Sequence, residues 1–224
     1  MLLAIDTATK NSSVALYNEN GVHVEISWRS HQNHTVELMP QIIHALQLGQ
    51  IEKTDLVAIG VALGPGSFSG LRVGMSVAKG LAFAGNIPIL GVPTLDAIAA
   101  AHSFNPQPLY VIVMAGRGRY SVAPYHARAG RAERVGGYAL VTADGLIERA
   151  LGMDASRLLF CGEIDAALAQ KIAQELGERA LIASPALNAR RAGFLAELAW
   201  VRFQRGESDD VEALAPLYAP QDAV

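Results

Sequence analysis

The chain has 224 residues, 51% of them apolar and 17% charged, with a net charge of −3 and a pI near 6.1. This balance excludes long disordered stretches and gives no chain-wide attraction to nucleic acid, whose phosphates call for clustered Lys and Arg. A single cysteine, Cys161, excludes an intrachain disulfide, and no stretch approaches the roughly 20 apolar residues of a membrane span. The opening MLLAIDTATK meets Asp6 too soon to read as a signal peptide, so a soluble, cytoplasmic chain is expected.

Leu2 to Ile5 reads as a short apolar strand. Ser13 to Tyr17 and Val22 to Trp28 flank Asn20-Gly21, a hairpin signal because both residues tolerate positive φ. From Thr35 to Leu48 the period becomes helical, with Pro40 predicting a kink or a later start. Leu56 to Leu63 is a continuous apolar strand, and GPGSFSG at 64–70 leads into a helix over 71–84, closed by Gly85 and Asn86. A strand at 89–92 and a helix at 95–101 follow. This order predicts an α/β fold with a mixed sheet and helical crossovers, and it resembles the ribonuclease-H-like half of actin-type folds. Asn105-Pro106-Gln107-Pro108 marks a boundary, giving lobes of 1–104 and 105–224. In the second lobe, strands are expected at 109–114, 121–125 and 158–161, with a strand-like ALIAS between helices at 164–176 and 189–204. No internal repeat is visible.

Asp6, Thr7 and Thr9, with Ser12 behind them, occupy the turn after the first strand. A carboxylate and hydroxyls there suit phosphates and their metal, or simply close a tight turn. The second loop carries Gly64, Gly66, Ser67 and Gly70, and three glycines in seven residues permit a sharp strand-to-helix turn. Its amide groups suit an anion, while its small residues equally suit close packing of helix on sheet. It lacks the Gly-Lys-Ser/Thr of a Walker A loop, and Phe68 stands where a nucleophile elbow needs serine. His31, Gln32, Asn33, His34 and Glu37 read as a solvated loop before a helix rather than a metal site. Arg117, Arg119, Arg128, Arg131 and Arg134, against Glu133 alone, form a locally basic stretch read as a solvated loop, with RNA contact as the alternative.

Taken together, AIDTATKNSSVAL, HTVELMP, GPGSFSGLRVGMSVAKGLAFAGNIPILGV and TLDAIA resemble the TsaB (YeaZ) family, densely over residues 2–101 and weakly beyond. The resemblance implies an actin-like ATPase fold of two lobes, the second reduced. It also implies a non-catalytic subunit for threonylcarbamoyladenosine formation at position 37 of tRNA. Such a subunit binds the transferase TsaD as a heterodimer, with the ATPase TsaE joining them, a homodimer when alone, and tRNA reached through the complex. The rival is the transferase itself, an ATP-dependent carbamoyl or acyl transferase or glycoprotease-like metalloenzyme of the same fold. Its two metal-binding histidines fall at Thr94 and Ile98 here, and an isoleucine cannot ligate a metal. No metal and at most weak ATP or ADP binding are therefore expected. Within the family, an Asp-Ala-Arg string is often found in the first strand of the second lobe, where this chain reads Met114-Ala115-Gly116-Arg117. The partner surface implied lies on the first two long helices. It takes Arg72, Ser76, Lys79 and Phe83 with flanking Met75 and Ala82, joined by Leu38, Ile42 and Ala45 or else by Val36 and Ile43.

Overall fold

The computed structural model describes residues 1–30 and 33–218. In its first unit, β1 (Leu2–Asp6), β2 (Asn11–Asn18) and β3 (Gly21–Arg29) run antiparallel. β4 (Ala58–Gly64) and β5 (Ile89–Pro93) add in parallel, giving the order β3-β2-β1-β4-β5. α1 (His34–Gly49) and α2 (Phe68–Gly85) are the crossovers, and α3 (Thr94–Ala100) follows β5. Pro40 is accommodated within α1. The β2–β3 turn differs from expectation: Asn18 pairs with Gly21, so Glu19 and Asn20 form the turn. Gly21 alone takes positive φ, +107°, beside a bulge at Leu16/Tyr17, the pattern of a turn whose last residue must be left-handed.

The second unit opens with β6 (Leu109–Gly116), β7 (Arg119–Arg128) and β8 (Arg131–Arg134), again antiparallel. β9 (Ala139–Thr142) pairs with β7 and leads into α4 (Ala143–Leu151). β10 (Leu158–Gly162), α5 (Ala166–Leu176) and β11 (Ala180–Ile182) complete the order β11-β10-β6-β7-β8. The Arg-bearing stretch is therefore a hairpin, not a loop. Both sheets carry three antiparallel strands followed outward by two parallel ones, a duplication of topology without visible repetition of sequence. The second version is shortened, with β8 of four residues and β11 of three. Cys161 lies buried in β10, where desolvation pushes its thiol up to about 12.

The last helix, α6 (Ala192–Gln204), does not stay with the second unit. Among the described residues, 1–97 and 190–217 form one unit, and 98–189 with Tyr218 form the other. A single boundary at 104/105 misses this return. The reason is burial: alternation along β1 sends Leu2 and Ala4 to one face and Leu3 and Ile5 to the other. The second face is covered by α1 and α2, and the first needs Ala192, Leu195, Ala196 and Ala199 of α6. The approach is close, since a Cβ on Gly60 would lie 3.0 Å from that of Ala199. Among the described residues, no helix is long and apolar enough to cross a membrane.

Candidate functional site

β1 delivers Asp6 to a turn whose side chains are already engaged within the chain. One Asp6 oxygen accepts the Ala8 amide at 3.0 Å, and the other forms a salt bridge with Arg190. Both charged residues are buried, at 1% and 5% exposure. Thr7 Oγ1 donates to the Gly70 carbonyl at 2.7 Å, and Thr9 Oγ1 bonds to the Asn11 backbone. Ser12 Oγ shares a hydrogen bond of 3.1 Å with His34 Nδ1, and burial lowers the His34 pKa from its ordinary value. The structure thus brings together Asp6, Thr7, Thr9 and Ser12, and adds Arg190. Nothing local in the sequence points to Arg190, which lies 184 positions from Asp6.

The glycine-rich loop is packed onto this same turn. The Ser67 amide donates to the Ala8 carbonyl at 2.6 Å, and Ser67 Oγ caps α2 by accepting from Gly70 N at 3.3 Å. A Cβ on Gly66 would sit 2.2 Å from Ala8 O, and one on Gly70 would sit 2.2 Å from Thr7 O. At Gly64, φ is +112° and a Cβ would meet Leu217 O at 2.4 Å. Backbone atoms cannot swing aside, so Gly66→Ala is expected to lower stability by about 1–3 kcal/mol. Gly80 in α2 has nothing within 4 Å of its Cβ position. Gly80→Ala is expected to raise stability by about 0.4–1 kcal/mol. Thermal unfolding of the two variants should move in opposite directions; equal shifts would remove the packing account of the loop.

The outer helices correct the expected partner surface. Leu38 and Ile42 of α1, and Met75 and Ala82 of α2, are at most 4% exposed and form core with β1, β2 and β4. The buried stripe of α1 runs through Leu38, Ile42 and Ala45, and that of α2 through Leu71, Gly74, Met75, Ala78 and Ala82, so these are the sides that meet the sheet. Lys79 donates to the Glu212 carbonyl at 3.0 Å, holding the segment after α6 rather than standing free. Arg72 stacks over Phe68 at 3.7 Å and remains exposed. What stays outside is Val36 at 70%, Met39 at 37% and Ile43 at 49% on α1, with Phe83 at 81% on α2. The second expected edge of α1, Val36 and Ile43, is therefore the exposed one. Met39 was not singled out, although its i+3 spacing from Val36 places it in the same stripe. α1 and α2 pack on the same sheet face and on each other, and these side chains lie outside that core.

Thr94 is fully buried and its hydroxyl accepts the Gly64 amide at 3.1 Å; Ile98 is 7% exposed. Among the described residues no three His, Cys, Asp or Glu side chains are grouped to hold a metal ion. His31 and Gln32 lie outside the described residues.

The family model of TsaD, tRNA N6-adenosine threonylcarbamoyltransferase, matches residues 6–223. The tRNA threonylcarbamoyladenosine biosynthesis protein TsaB of Bacillus subtilis is 32% identical over 217 residues, covering 97% of this chain and 93% of that protein. The chain belongs to the TsaB family. Its Escherichia coli relative of the same name is 41% identical over 100 residues, a match that spans only 42% of that protein's length and 44% of this chain. YeaZ from Pseudomonas aeruginosa superposes with a TM-score of 0.80 at 25% identity, over 97% of this chain and 98% of that one. More distantly, the activator of 2-hydroxyisocaproyl-CoA dehydratase from Clostridium difficile, solved with ADPNP, shares the fold with a TM-score of 0.54 at 9% identity. The TsaB family thus includes this chain along nearly its whole length, and its fold is the one YeaZ adopts.

Proposed function

We propose that this chain is a non-catalytic subunit of the apparatus that builds threonylcarbamoyladenosine on tRNA, and that it holds the TsaD transferase through the outer face of α1 and α2. The observation that carries this reading is the exposure of the apolar side chains of Val36, Met39, Ile43 and Phe83, outside the core of their own unit. Aromatic and Met side chains are favoured interface anchors. The B. subtilis and E. coli relatives, named for threonylcarbamoyladenosine biosynthesis, support the pathway. The same face serves a homodimer when the transferase is absent, and TsaE joins the assembled pair in the cytoplasm.

The site chemistry supports a partner rather than an enzyme. Arg190 already neutralises Asp6, the carboxylate that would hold a nucleotide's metal through water. Thr94 and Ile98 supply no imidazole where the transferase binds its metal. Nucleotide binding by this chain alone is accordingly weak. Co-purification of the full chain with untagged TsaD tests the reading: a stable heterodimer is expected, and separate elution at micromolar concentration would refute it.

A further inference from the structure

The hairpin of β7 and β8 has a composition that the proposed function does not use. Ala129 and Gly130 make its two-residue turn, with φ of 49° and 74°, so Arg128 and Arg131 stand directly opposite each other. Like charges so placed are destabilising in a two-stranded ribbon. Among the described residues neither guanidinium has a carboxylate within ion-pair distance; Lys171–Asp144 is the pair described in this unit. Glu133 stands across from His126, one pair further along the same face, and offsets only part of the charge.

Aromatic rings accompany the arginines. Phe104 is 91% exposed, and its ring abuts the turn, 3.4 Å from where a Cβ on Gly130 would lie. Arg134 sits over the Tyr138 ring at 4.1 Å. On the face that carries Arg128, alternation along β7 also places Pro124. Pro124 lines a pocket of about 260 Å³ with Tyr110, Gly136, Gly137 and Arg149. Arg149 therefore extends the cationic surface toward a slot of a size suited to an unstacked base. Guanidinium groups beside an exposed ring such as Phe104 are the chemistry that tracks a single-stranded phosphodiester and stacks its bases.

We propose that this face, through Arg128, Arg131, Arg149 and Phe104, directly binds a single-stranded stretch of tRNA, with one phosphate bridging Arg128 and Arg131. The proposal rests on the reading of the chain as a tRNA-modification subunit, and it makes tRNA a ligand of this chain rather than of its partner alone. Fluorescence anisotropy of a labelled tRNA transcript, titrated with the full chain alone and with its TsaD complex across a salt series, tests it. Arg128→Glu with Arg131→Glu is expected to weaken binding at least about tenfold and to reduce the salt slope by about 2. Phe104→Ala is expected to weaken it several-fold at unchanged slope. The Arg128→Gln/Arg131→Gln pair repeats the charge test should the reversal disturb folding. Unchanged affinity and slope in both pairs would overturn the proposal. So would displacement of tRNA by millimolar inorganic phosphate, which would make the free anion the ligand, or loss of TsaD binding in the variants, which would make the face a protein surface. A wild-type chain that binds tRNA but never joins TsaD would refute the proposed function while leaving this site standing.

Discussion

Arg190→Met is expected to destabilise the chain by about 3–5 kcal/mol, because it leaves the Asp6 carboxylate buried with no opposing charge. Domains of this kind have only about 5–15 kcal/mol of total stability, so the loss would be visible as a large fall in the urea midpoint. The Ala8 amide would remain as a donor to Asp6, which limits the damage but does not replace a cation. A second substitution discriminates the cause. Asp6→Asn in the Arg190→Met background removes the stranded charge, so the double variant is expected to regain part of the lost stability. Strictly additive losses would mean that Arg190 acts through packing and that the pair carries no coupling.

Phe83→Asp combined with Ile43→Asp is expected to abolish association with TsaD while leaving the unfolding midpoint of the isolated chain almost unchanged. Both side chains lie outside the core, at 81% and 49% exposure, so a charge on either costs little in the free monomer, within about 0.5 kcal/mol. In a complex each would be buried. Losing one interface anchor costs about 2 kcal/mol or more, a factor of about 30 in affinity, and a desolvated carboxylate adds to it. Met75 makes the internal control. It is 4% exposed and packs with Ala78 and Ile5, so Met75→Asp is expected to unfold the chain and to lose the partner for that reason alone. Calorimetric titration alongside chemical unfolding separates the two outcomes.

The elements of the first unit were legible because each carries its own local signal. The apolar run of β4, the glycine turn before α2 and Asn86 closing it at φ 50° all act within a few residues. The faces of the helices were less legible. The apolar arc of α1 spans both Leu38, Ile42 and Ala45, which meet the sheet, and Val36, Met39 and Ile43, which do not. Periodicity measures the width of such an arc and does not say which edge finds the core. The Asp6–Arg190 pair was illegible for another reason: 184 positions separate its members, and only the return of the chain through α6 to the first sheet brings them together. The β7–β8 hairpin escaped notice because Ala129-Gly130 lacks the Asn or Asp that marks most two-residue turns. The glycine-rich loop left anion binding and close packing open, since both need a backbone without side chains. The contacts of Gly66 and Gly70 with Ala8 and Thr7 carbonyls show what the glycines accommodate here.

The central claim is that this chain assists a transferase without performing the transfer, and quantifying threonylcarbamoyladenosine in tRNA tests it most directly. Unmodified tRNA and a threonylcarbamoyl donor would be incubated with the chain alone, with TsaD and TsaE, and with all three proteins. Modified nucleoside is expected only when the chain and TsaD are both present, and it should disappear when Phe83→Asp/Ile43→Asp replaces the wild-type chain. Modification by the chain alone, or full activity of TsaD and TsaE without it, would contradict the account.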